Sequence, residues 1–260
     1  MSSPEFTQST ALLKGKTALV TGASRGFGRA IAAALWSHGA SVIGVARNGE
    51  QLESLRLELG EGFLGVVGNV CDAEVASTII HQYCPEILVL NAGATPRALP
   101  LQDQTWASFS QNWNVDTQHV FNWTKEALRL PLAPGSVVIA LSSGAAIMGS
   151  PLSGGYAGAK ATIRFISQYA AGESKREDLA IRFVALLPQI TSATDLGAAG
   201  SAAYAEREGV DLKTFLSRFE PLLTPKVVGE VVATLCEIDE EDREIALAYM
   251  LSGAGVREIP

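Results

Sequence analysis

The chain has 260 residues, of which 47% are hydrophobic and 18% are charged, a composition typical of a folded globular protein rather than a disordered one. Its length allows one large α/β domain or two small ones. The formal net charge is −7 and no run of clustered lysines and arginines occurs, which argues against a nucleic-acid-binding surface.

Other features of the sequence predict where the protein works. No apolar run approaches the roughly 18 residues of a membrane span. The N-terminus, MSSPEFTQST, lacks the basic and apolar regions of a signal peptide, and we expect residues 1–13 to form a flexible segment. Cys71, Cys84 and Cys236 are scattered without metal-ligand spacing, as in proteins of a reducing compartment. We therefore expect a cytoplasmic protein without a membrane partner, a nucleic-acid partner or a bound metal.

The first elements form a strand, a glycine-rich turn and a helix. Residues 16–20 predict a short apolar strand, TGASRGFG follows at 21–28, and residues 29–36 predict a helix. Glycines let backbone amides approach a phosphate, and the N-terminus of the helix adds partial positive charge. The spacing of Gly22, Gly26 and Gly28 is not the common G-x-G-x-x-G pattern, so the turn alone is a weak indication of a dinucleotide site.

The second strand, predicted over residues 41–45, ends near Arg47. In a dinucleotide site this strand end faces the adenosine ribose, where an acidic residue binds a free 2′-hydroxyl. Here Arg47 replaces the acid, and Arg25 lies in the preceding turn. Two guanidinium groups suit a 2′-phosphate, which favours NADP(H) over NAD(H). The alternative is that both arginines are solvated surface residues.

The rest of the chain continues the alternation of strands and helices. Further strands are predicted at 63–67, 87–90, 136–141, 180–187 and 245–251, and helices are predicted from about 48, from about 72, over 103–130 and from the Tyr156 region to about 175. Near-continuous apolar strands are typical of a parallel sheet that is covered on both faces. We therefore predict an α/β fold with one Rossmann-like, doubly wound domain over residues 14–260. About seven strands would form its mostly parallel sheet, with helices on both faces.

The pattern loosens after Pro188. Residues 189–220 are rich in alanine, and we expect irregular loop and short helices that form a lid over a site. Thr224 and Pro225 predict the start of a helix that reaches about residue 236, followed by an acidic surface loop over 237–244.

Tyr156 and Lys160 are the most informative pair for chemistry. Residues four apart lie on the same face of a helix. An ammonium held near a phenol stabilises the phenolate, so such a tyrosine can exchange a proton near neutral pH. Ser143, which follows the fifth strand, could hold a substrate oxygen beside it. Many helices contain Tyr-x-x-x-Lys by chance, so the pair is weak evidence alone.

Five motifs, in this order, strongly resemble the short-chain dehydrogenase/reductase family: TGASRGFG at 21–28, NAGA at 91–94, SSGAAIMG at 142–149, YAGAK at 156–160 and the proline at 188. The resemblance covers residue 14 to about residue 255. In the family the serine lies thirteen residues before the tyrosine, and this spacing to Tyr156 selects Ser143 over Ser142. The resemblance implies an NADP(H)-dependent oxidoreductase that interconverts a carbonyl and a secondary alcohol by hydride transfer.

The resemblance also implies a role for the motif residues. Tyr156 would be the general acid/base, Ser143 would hold the substrate oxygen, and Lys160 would bind the nicotinamide ribose and stabilise the phenolate. Tyr156 and Lys160 would also contact the cofactor. The other residues expected at the cofactor are Gly22, Ser24, Arg25, Gly26, Phe27, Gly28, Arg47, Asn69, Val70, Asn91, Ala92, Gly93, Pro188, Ile190 and Thr191.

Two positions depart from the family pattern. The fourth helix usually carries an asparagine whose backbone carbonyl fixes a kink and a water in a proton relay. Asn114 is a tempting match, but the ungapped register of the family pattern puts Asp116 in that place. Asp116 could serve through its backbone carbonyl or join the relay with its carboxylate. The alternative is that it is a surface residue without a role. Gln189 stands where a glycine usually follows the proline, and the sequence does not explain it.

The substrate pocket is expected to form from residues 94–97, 145–152 and the lid. It would be mostly apolar; Arg97, the one charge near it, would either favour an acidic or acyl-carrier substrate or lie on the surface. A 3-oxoacyl-thioester reductase is the alternative enzyme, and a non-catalytic NADP(H)-binding sensor or scaffold is the alternative of another class. In the family the helices around 106–130 and 156–176 commonly pair between subunits, which implies a homodimer or homotetramer.

Overall fold

The structure, a computed structural model, describes residues 12–238 and 247–259. In this part of the chain eight strands form one sheet in the order β3-β2-β1-β4-β5-β6-β7-β8. The strands are β1 (Thr17–Thr21), β2 (Ser41–Ala46), β3 (Phe63–Val67), β4 (Ile87–Leu90), β5 (Val137–Leu141), β6 (Arg182–Pro188), β7 (Ala248–Ser252) and β8 (Gly255–Ile259).

All neighbouring strands are parallel except β7 and β8, which form an antiparallel pair at the edge. The predicted α/β fold is confirmed, and the estimate of about seven strands missed only β8. The chain order reverses between β1 and β4, which are adjacent in the sheet. In open α/β sheets ligands bind beyond the carboxyl ends of the strands at such a reversal.

Helices cover both faces of the sheet. They are α1 (Gly26–Ser37), α2 (Gly49–Leu59), α3 (Ala73–Tyr83), α4 (Trp106–Asn112), α5 (Gln118–Arg129), α6 (Ala145–Met148), α7 (Gly154–Arg176), α8 (Asp195–Glu208), α9 (Leu212–Leu216) and α10 (Pro225–Glu237). Leu35 of α1 and Val228 of α10 are buried on one face, and Trp123 of α5 and Ile163 of α7 are buried on the other. None of the described helices is long and apolar enough to cross a membrane.

Two helix predictions need correction. The segment predicted as one helix over 103–130 divides into α4, a π-helical turn at Trp113–Thr117, and α5. The segment 189–220, expected to be irregular loop and short helices, is more regular than that, because α8 spans fourteen residues. Its ends carry ordinary helix signals: the Thr194 side chain accepts a hydrogen bond from Gly197 N, and Gly209 adopts a φ of 68° just past the last turn.

The structure also bears on the predicted N-terminal segment and on the predicted start of α10. Leu13, expected in a flexible segment, is fully buried, and its backbone N–H donates to His38 O at 3.1 Å. Residues 1–11 and 239–246 lie outside the described residues, so most of the N-terminal segment and of the predicted acidic loop is not addressed. The predicted start of α10 is confirmed, with Pro225 first in the helix and Thr224 capping it.

Candidate active site

The glycine-rich turn is shaped by close backbone packing. Gly22 and Gly26 have φ angles of 68° and 56°, a left-handed conformation that favours glycine. A Cβ on Gly28 would lie 2.2 Å from Gly22 O, so only glycine lets α1 begin directly against the turn. The first N–H groups of α1 therefore lie at the turn, as an anion-binding site requires.

One large cleft opens beyond the carboxyl ends of the central strands. Its volume is about 1950 Å³, well above the roughly 300–1,000 Å³ of a typical single-ligand pocket, so a dinucleotide and a second molecule both have room. The cleft is lined by all the expected cofactor residues except Gly28: Gly22, Ser24, Arg25, Gly26, Phe27, Arg47, Asn69, Val70, Asn91, Ala92, Gly93, Tyr156, Lys160, Pro188, Ile190 and Thr191. Gly28 is buried beneath the turn.

The two arginines expected at the ribose are both exposed and both line the cleft. Arg25 Nη1 lies 2.6 Å from Oδ2 of Asp195, the first residue of α8. Arg47 has no ion-pair partner in residues 12–238 and 247–259. Because exposed ion pairs contribute little, about 0–1 kcal/mol, Arg25 could exchange Asp195 for another anion at small cost.

The segment after β4 is tied to the glycine-rich turn. Thr21 Oγ1 donates to Val89 O at 3.2 Å and accepts from the backbone N–H of Asn91 at 2.9 Å. The Asn91 side-chain amide donates to Thr21 O at 3.0 Å. These bonds fix Asn91, Ala92 and Gly93 across the floor of the cleft, where the nicotinamide ribose was expected.

The two adjacent serines after β5 have different surroundings. The buried Ser142 hydroxyl donates to Lys160 O at 2.7 Å and so joins β5 to α7. The half-buried Ser143 hydroxyl accepts from the backbone N–H of Ala145 at 3.2 Å and keeps its own proton available in the cleft. Geometry therefore separates a serine that holds the fold from one that can meet a substrate.

Tyr156 and Lys160 share one face of α7, as their spacing predicts. Lys160 Nζ lies 5.6 Å from the centre of the Tyr156 ring and donates to Leu141 O at 3.0 Å. It also lies 3.2 Å from Asp116 Oδ2, with exposed side-chain fractions of only 7% for Lys160 and 1% for Asp116. Burial lowers the pKa of Lys160, but the charge of Asp116, together with Tyr156 and the Asp116 hydrogen bond, outweighs burial and raises this pKa above its ordinary value.

Asp116, rather than Asn114, reaches the lysine. Asp116 lies in the π-helical turn, and its Oδ1 accepts hydrogen bonds from Ala94 N at 2.8 Å and from Asn112 Nδ2 at 3.4 Å. A Cβ on Gly93 would lie 2.9 Å from Asp116 Oδ2, so the floor of the cleft and the carboxylate are in close contact. Asn114 is exposed, with its side-chain amide 3.5 Å from Ser110 Oγ.

His119 is a nearby residue to which the sequence analysis gave no role. It is fully buried, its Nδ1 lies 3.2 Å from Ala92 O, and its Nε2 has no hydrogen-bond partner among the described residues. Burial, followed by the charge of Lys160, lowers the pKa of His119 to about 3, so the ring is neutral. Its position three residues after Asp116, on the same side of a helix, was the available sequence signal.

Helix α7 packs directly on α4 and on the π-helical turn that follows it. A Cβ on Gly155 would lie 1.9 Å from Phe109 O, and one on Gly158 would lie 3.1 Å from the Trp113 ring. Gly155 lets the start of α7, which carries Tyr156, lie backbone to backbone against α4, and Gly158 makes room for the Trp113 ring.

The segment 189–220, predicted as a lid, is bonded to residues 150–152 through Tyr204, and its own two ends are bonded to each other. The Tyr204 hydroxyl on α8 lies 2.6 Å from Ser150 Oγ and accepts from Leu152 N at 3.1 Å. The Gln189 side-chain amide donates to Phe219 O at 3.3 Å, which gives a structural use to the residue that replaces the usual glycine. Tyr204 also stacks on Phe215, which lies beside Phe219, so aromatic rings line this end of the cleft.

Some residues expected at the substrate pocket lie elsewhere. Ala145, Met148, Pro151 and Leu152 line the cleft, whereas Ala146, Ile147 and Arg97 do not. The charged residues that line this end of the cleft are Arg218 and Glu208, which form an ion pair with each other. The proposed link between Arg97 and an acidic substrate therefore has no support in the cleft.

The chain is similar in sequence to known oxidoreductases. The model of a family described as short chain dehydrogenase matches residues 16–204. The 3-oxoacyl-[acyl-carrier-protein] reductase FabG of Haemophilus influenzae is 34% identical over 181 residues, which cover 66% of this chain and 74% of that protein. The NADPH-dependent pterin aldehyde reductase of Arabidopsis thaliana is 30% identical over 182 residues, which cover 66% of this chain and 75% of that protein.

A solved structure has a similar fold. The 3-ketoacyl-(acyl-carrier-protein) reductase from Brucella melitensis, complexed with NADH, superposes with a TM-score of 0.75 over 91% of this chain and 96% of that one. Its sequence is 23% identical, so this likeness concerns the fold alone.

Proposed function

This chain belongs to the short chain dehydrogenase family, and from that premise we propose an NADP(H)-dependent oxidoreductase that interconverts a carbonyl group and a secondary alcohol. The observation that carries the proposal is the grouping of Ser143, Tyr156 and Lys160 in one cleft with the glycine-rich turn. A phosphate site and an acid/base group in one cleft are what nicotinamide chemistry on an alcohol requires.

The mechanism follows from the surroundings of each side chain. Ser143 donates its free proton to the substrate oxygen and holds it beside Tyr156. A nicotinamide cofactor held in the cleft by the glycine-rich turn and Lys160 would supply or accept the hydride. In reduction the Tyr156 hydroxyl donates a proton to the developing alkoxide, and in oxidation the phenolate accepts one. Lys160 stabilises this phenolate through its charge, and its contacts with Leu141 O and Asp116 hold it in position.

The residues of the cleft fit NADP(H). Gly22 and Gly26 supply a turn open to a pyrophosphate at the start of α1. Arg25 and Arg47 supply two guanidinium groups for a 2′-phosphate, and α2 begins after Asn48 without an acidic residue at the end of β2. A relative that is 30% identical is named as NADPH-dependent, which also supports this choice.

A 3-oxoacyl-thioester reductase is the second candidate. Relatives named as 3-oxoacyl-[acyl-carrier-protein] reductases, of 34% and 32% identity, favour it. The lining near Met148 and Tyr204 is apolar and aromatic, which accommodates an acyl chain, and Arg97 does not line the cleft. These features equally suit an uncharged, largely apolar ketone or alcohol.

We also propose a homodimer or homotetramer that works in the cytoplasm. The support for an oligomer is a set of exposed aromatic side chains on α4, α5 and α7: Trp106, Phe121, Phe165 and Tyr169. Large apolar groups of this kind commonly mark a protein–protein contact. The support for the cytoplasm is that Cys71, Cys84 and Cys236 are free thiols.

The experiment that tests the function is an assay of NADPH oxidation with a panel of free ketones, aldehydes and 3-oxoacyl thioesters, and of NADP reduction with secondary alcohols. Turnover of free ketones supports the first candidate, and turnover of thioesters alone supports the second. Tight NADPH binding without turnover of any compound would favour a sensor or scaffold protein. Tyr156→Phe should abolish turnover while leaving NADPH affinity within about twofold, because a phenylalanine keeps the ring but has no proton to exchange.

A further inference from the structure

A buried polar cluster lies behind Tyr156. Lys160 and Asp116 form its centre, with Nζ and Oδ2 3.2 Å apart. His119 and Cys71 lie around them. His119 is close enough to Lys160 to interact with it electrostatically, and Cys71 is close enough to Asp116. The Cys71 thiol also lies 3.7 Å from Val115 O, beside Asp116 in the π-helical turn.

The charges in this cluster can be assigned one by one. His119 is neutral because burial, with Lys160, lowers its pKa to about 3. The Cys71 thiol stays protonated because burial, with the negative charge of Asp116, raises its pKa. The charged groups of the cluster are therefore Lys160, which lies 5.6 Å from the centre of the Tyr156 ring, and Asp116 against it, and their charges are opposite.

The two oxygens of Asp116 have separate partners. Oδ1 accepts from Ala94 N and Asn112 Nδ2, contacts that an asparagine oxygen could also accept. Oδ2 faces Lys160 Nζ, where only a carboxylate adds negative charge. The Oδ1 contacts explain why the fold needs an oxygen atom at this place. They do not explain why the side chain carries a charge, because burying a charge away from water is costly.

We propose that Asp116 is a positioning residue whose carboxylate neutralises Lys160 and thereby raises the pH at which Tyr156 exchanges its proton. The inference rests on the proposed function. Away from bulk water, charges a few ångströms apart interact strongly, so a carboxylate against Lys160 removes much of the help that the ammonium gives to the phenolate. Lys160 Nζ donates a hydrogen bond to Leu141 O, and Asp116 acts on it chiefly through charge. Donors of the ammonium are left for Tyr156 or the cofactor.

Asp116→Asn tests the proposal because it keeps the oxygen for Ala94 N and removes the charge. The first readout is the absorbance of tyrosinate against pH, with the curve of the matching Tyr156→Phe protein subtracted so that only Tyr156 contributes. The second readout is the pH profile of alcohol oxidation. We expect both midpoints to fall by roughly one unit or more, the size typical of an uncompensated neighbouring charge.

Glu126→Gln is the matched control. Glu126 is also a buried carboxylate, 3% exposed, but it lies on α5 and pairs with Arg129 at 3.3 Å. Its replacement should leave both midpoints unchanged. Asp116→Ala is the second variant, since it removes the charge in a different way and must move the tyrosinate midpoint in the same direction.

Three outcomes would overturn the proposal: a tyrosinate midpoint that does not move in Asp116→Asn, one that rises, or an equal shift in Glu126→Gln. If Asp116→Asn does not fold, the Asp116→Ala titration decides in the same way. The absorbance readout needs no substrate, so failure of the proposed function, seen as no turnover by the wild type, is distinguishable from failure of this inference.

Discussion

Ser142 Oγ donates a hydrogen bond of 2.7 Å to the backbone carbonyl of Lys160, which ties the end of β5 to the helix that carries Tyr156. Its neighbour Ser143 faces the cleft with its proton free. We expect Ser143→Ala to lower kcat by about 100-fold, the lower range for loss of a donor to a developing oxyanion, with an unchanged thermal midpoint. Ser142→Ala should destabilise the protein by about 1 kcal/mol and affect kcat less.

Steady-state kinetics and thermal unfolding of both variants check this pair. A larger loss of kcat in Ser142→Ala than in Ser143→Ala would reverse the assignment of the two serines.

Arg47 should determine the choice between NADPH and NADH. Removing its guanidinium in Arg47→Ala should weaken NADPH binding roughly tenfold, or about 1.4 kcal/mol, and leave NADH binding nearly unchanged, because only NADPH carries the 2′-phosphate. Thermal stabilisation by each cofactor at equal concentration gives the comparison, since the tighter ligand raises stability more. Equal stabilisation of the wild type by both cofactors would remove the argument for a 2′-phosphate site.

His38 should make stability depend on pH. Its ring nitrogens lie 2.6 Å from Glu237 Oε1 and 3.1 Å from Glu230 Oε2, which joins the end of α1 to α10. Burial lowers the pKa of His38, but the hydrogen bonds and charges of Glu237 and Glu230 outweigh it, so this pKa is raised above 6.5. Because the pKa of His38 is higher in the folded than in the unfolded protein, protonation of His38 stabilises the fold. This stabilisation is complete at pH values below the pKa of the unfolded protein, and it is lost as the pH rises through the pKa of the folded protein.

The measurement is the difference in thermal midpoint between wild type and His38→Gln. We expect this difference to be largest near pH 6 and to shrink towards about pH 8, on either side of the ordinary histidine pKa. A difference that grows with pH over this range would contradict the prediction.

The exposed aromatic residues should hold subunits together. Tyr169 on α7 is 68% exposed and stacks on Phe165, 49% exposed. We expect Tyr169→Glu to shift the protein towards monomer, because burying a carboxylate in an apolar contact is costly. Leu57→Glu is the control, since Leu57 is similarly exposed but lies on α2. Analytical ultracentrifugation checks both, and a monomeric wild type would refute the proposed contact.

The sequence predicted local features of the fold well because their causes are local. The glycine-rich turn, the capped start of α10 at Pro225 and the apolar strands follow from backbone preference and periodicity. The register of the family pattern also selected Asp116 over Asn114, and Asp116 is the one that lies against Lys160. Its role at the site remains a proposal.

Features that depend on contacts between distant segments were missed. The neutral state of His119 results from burial between elements, and the Gln189 contact with Phe219 joins positions thirty residues apart. The helix α8 was missed for another reason. Its alanine- and glycine-rich sequence shows little apolar periodicity, although Thr194 and Gly209 marked its two ends.

The contact of Gly155 with Phe109 O links the proposed assembly to the chemistry. Gly155 precedes Tyr156 directly, and Phe109 stacks on Trp106, one of the exposed aromatic residues. A partner subunit seated on Trp106 would therefore brace the backbone that positions the phenol, without contributing a residue to the cleft. Specific activity would then depend on protein concentration, falling on dilution as subunits separate, although each chain carries all of the proposed active-site side chains.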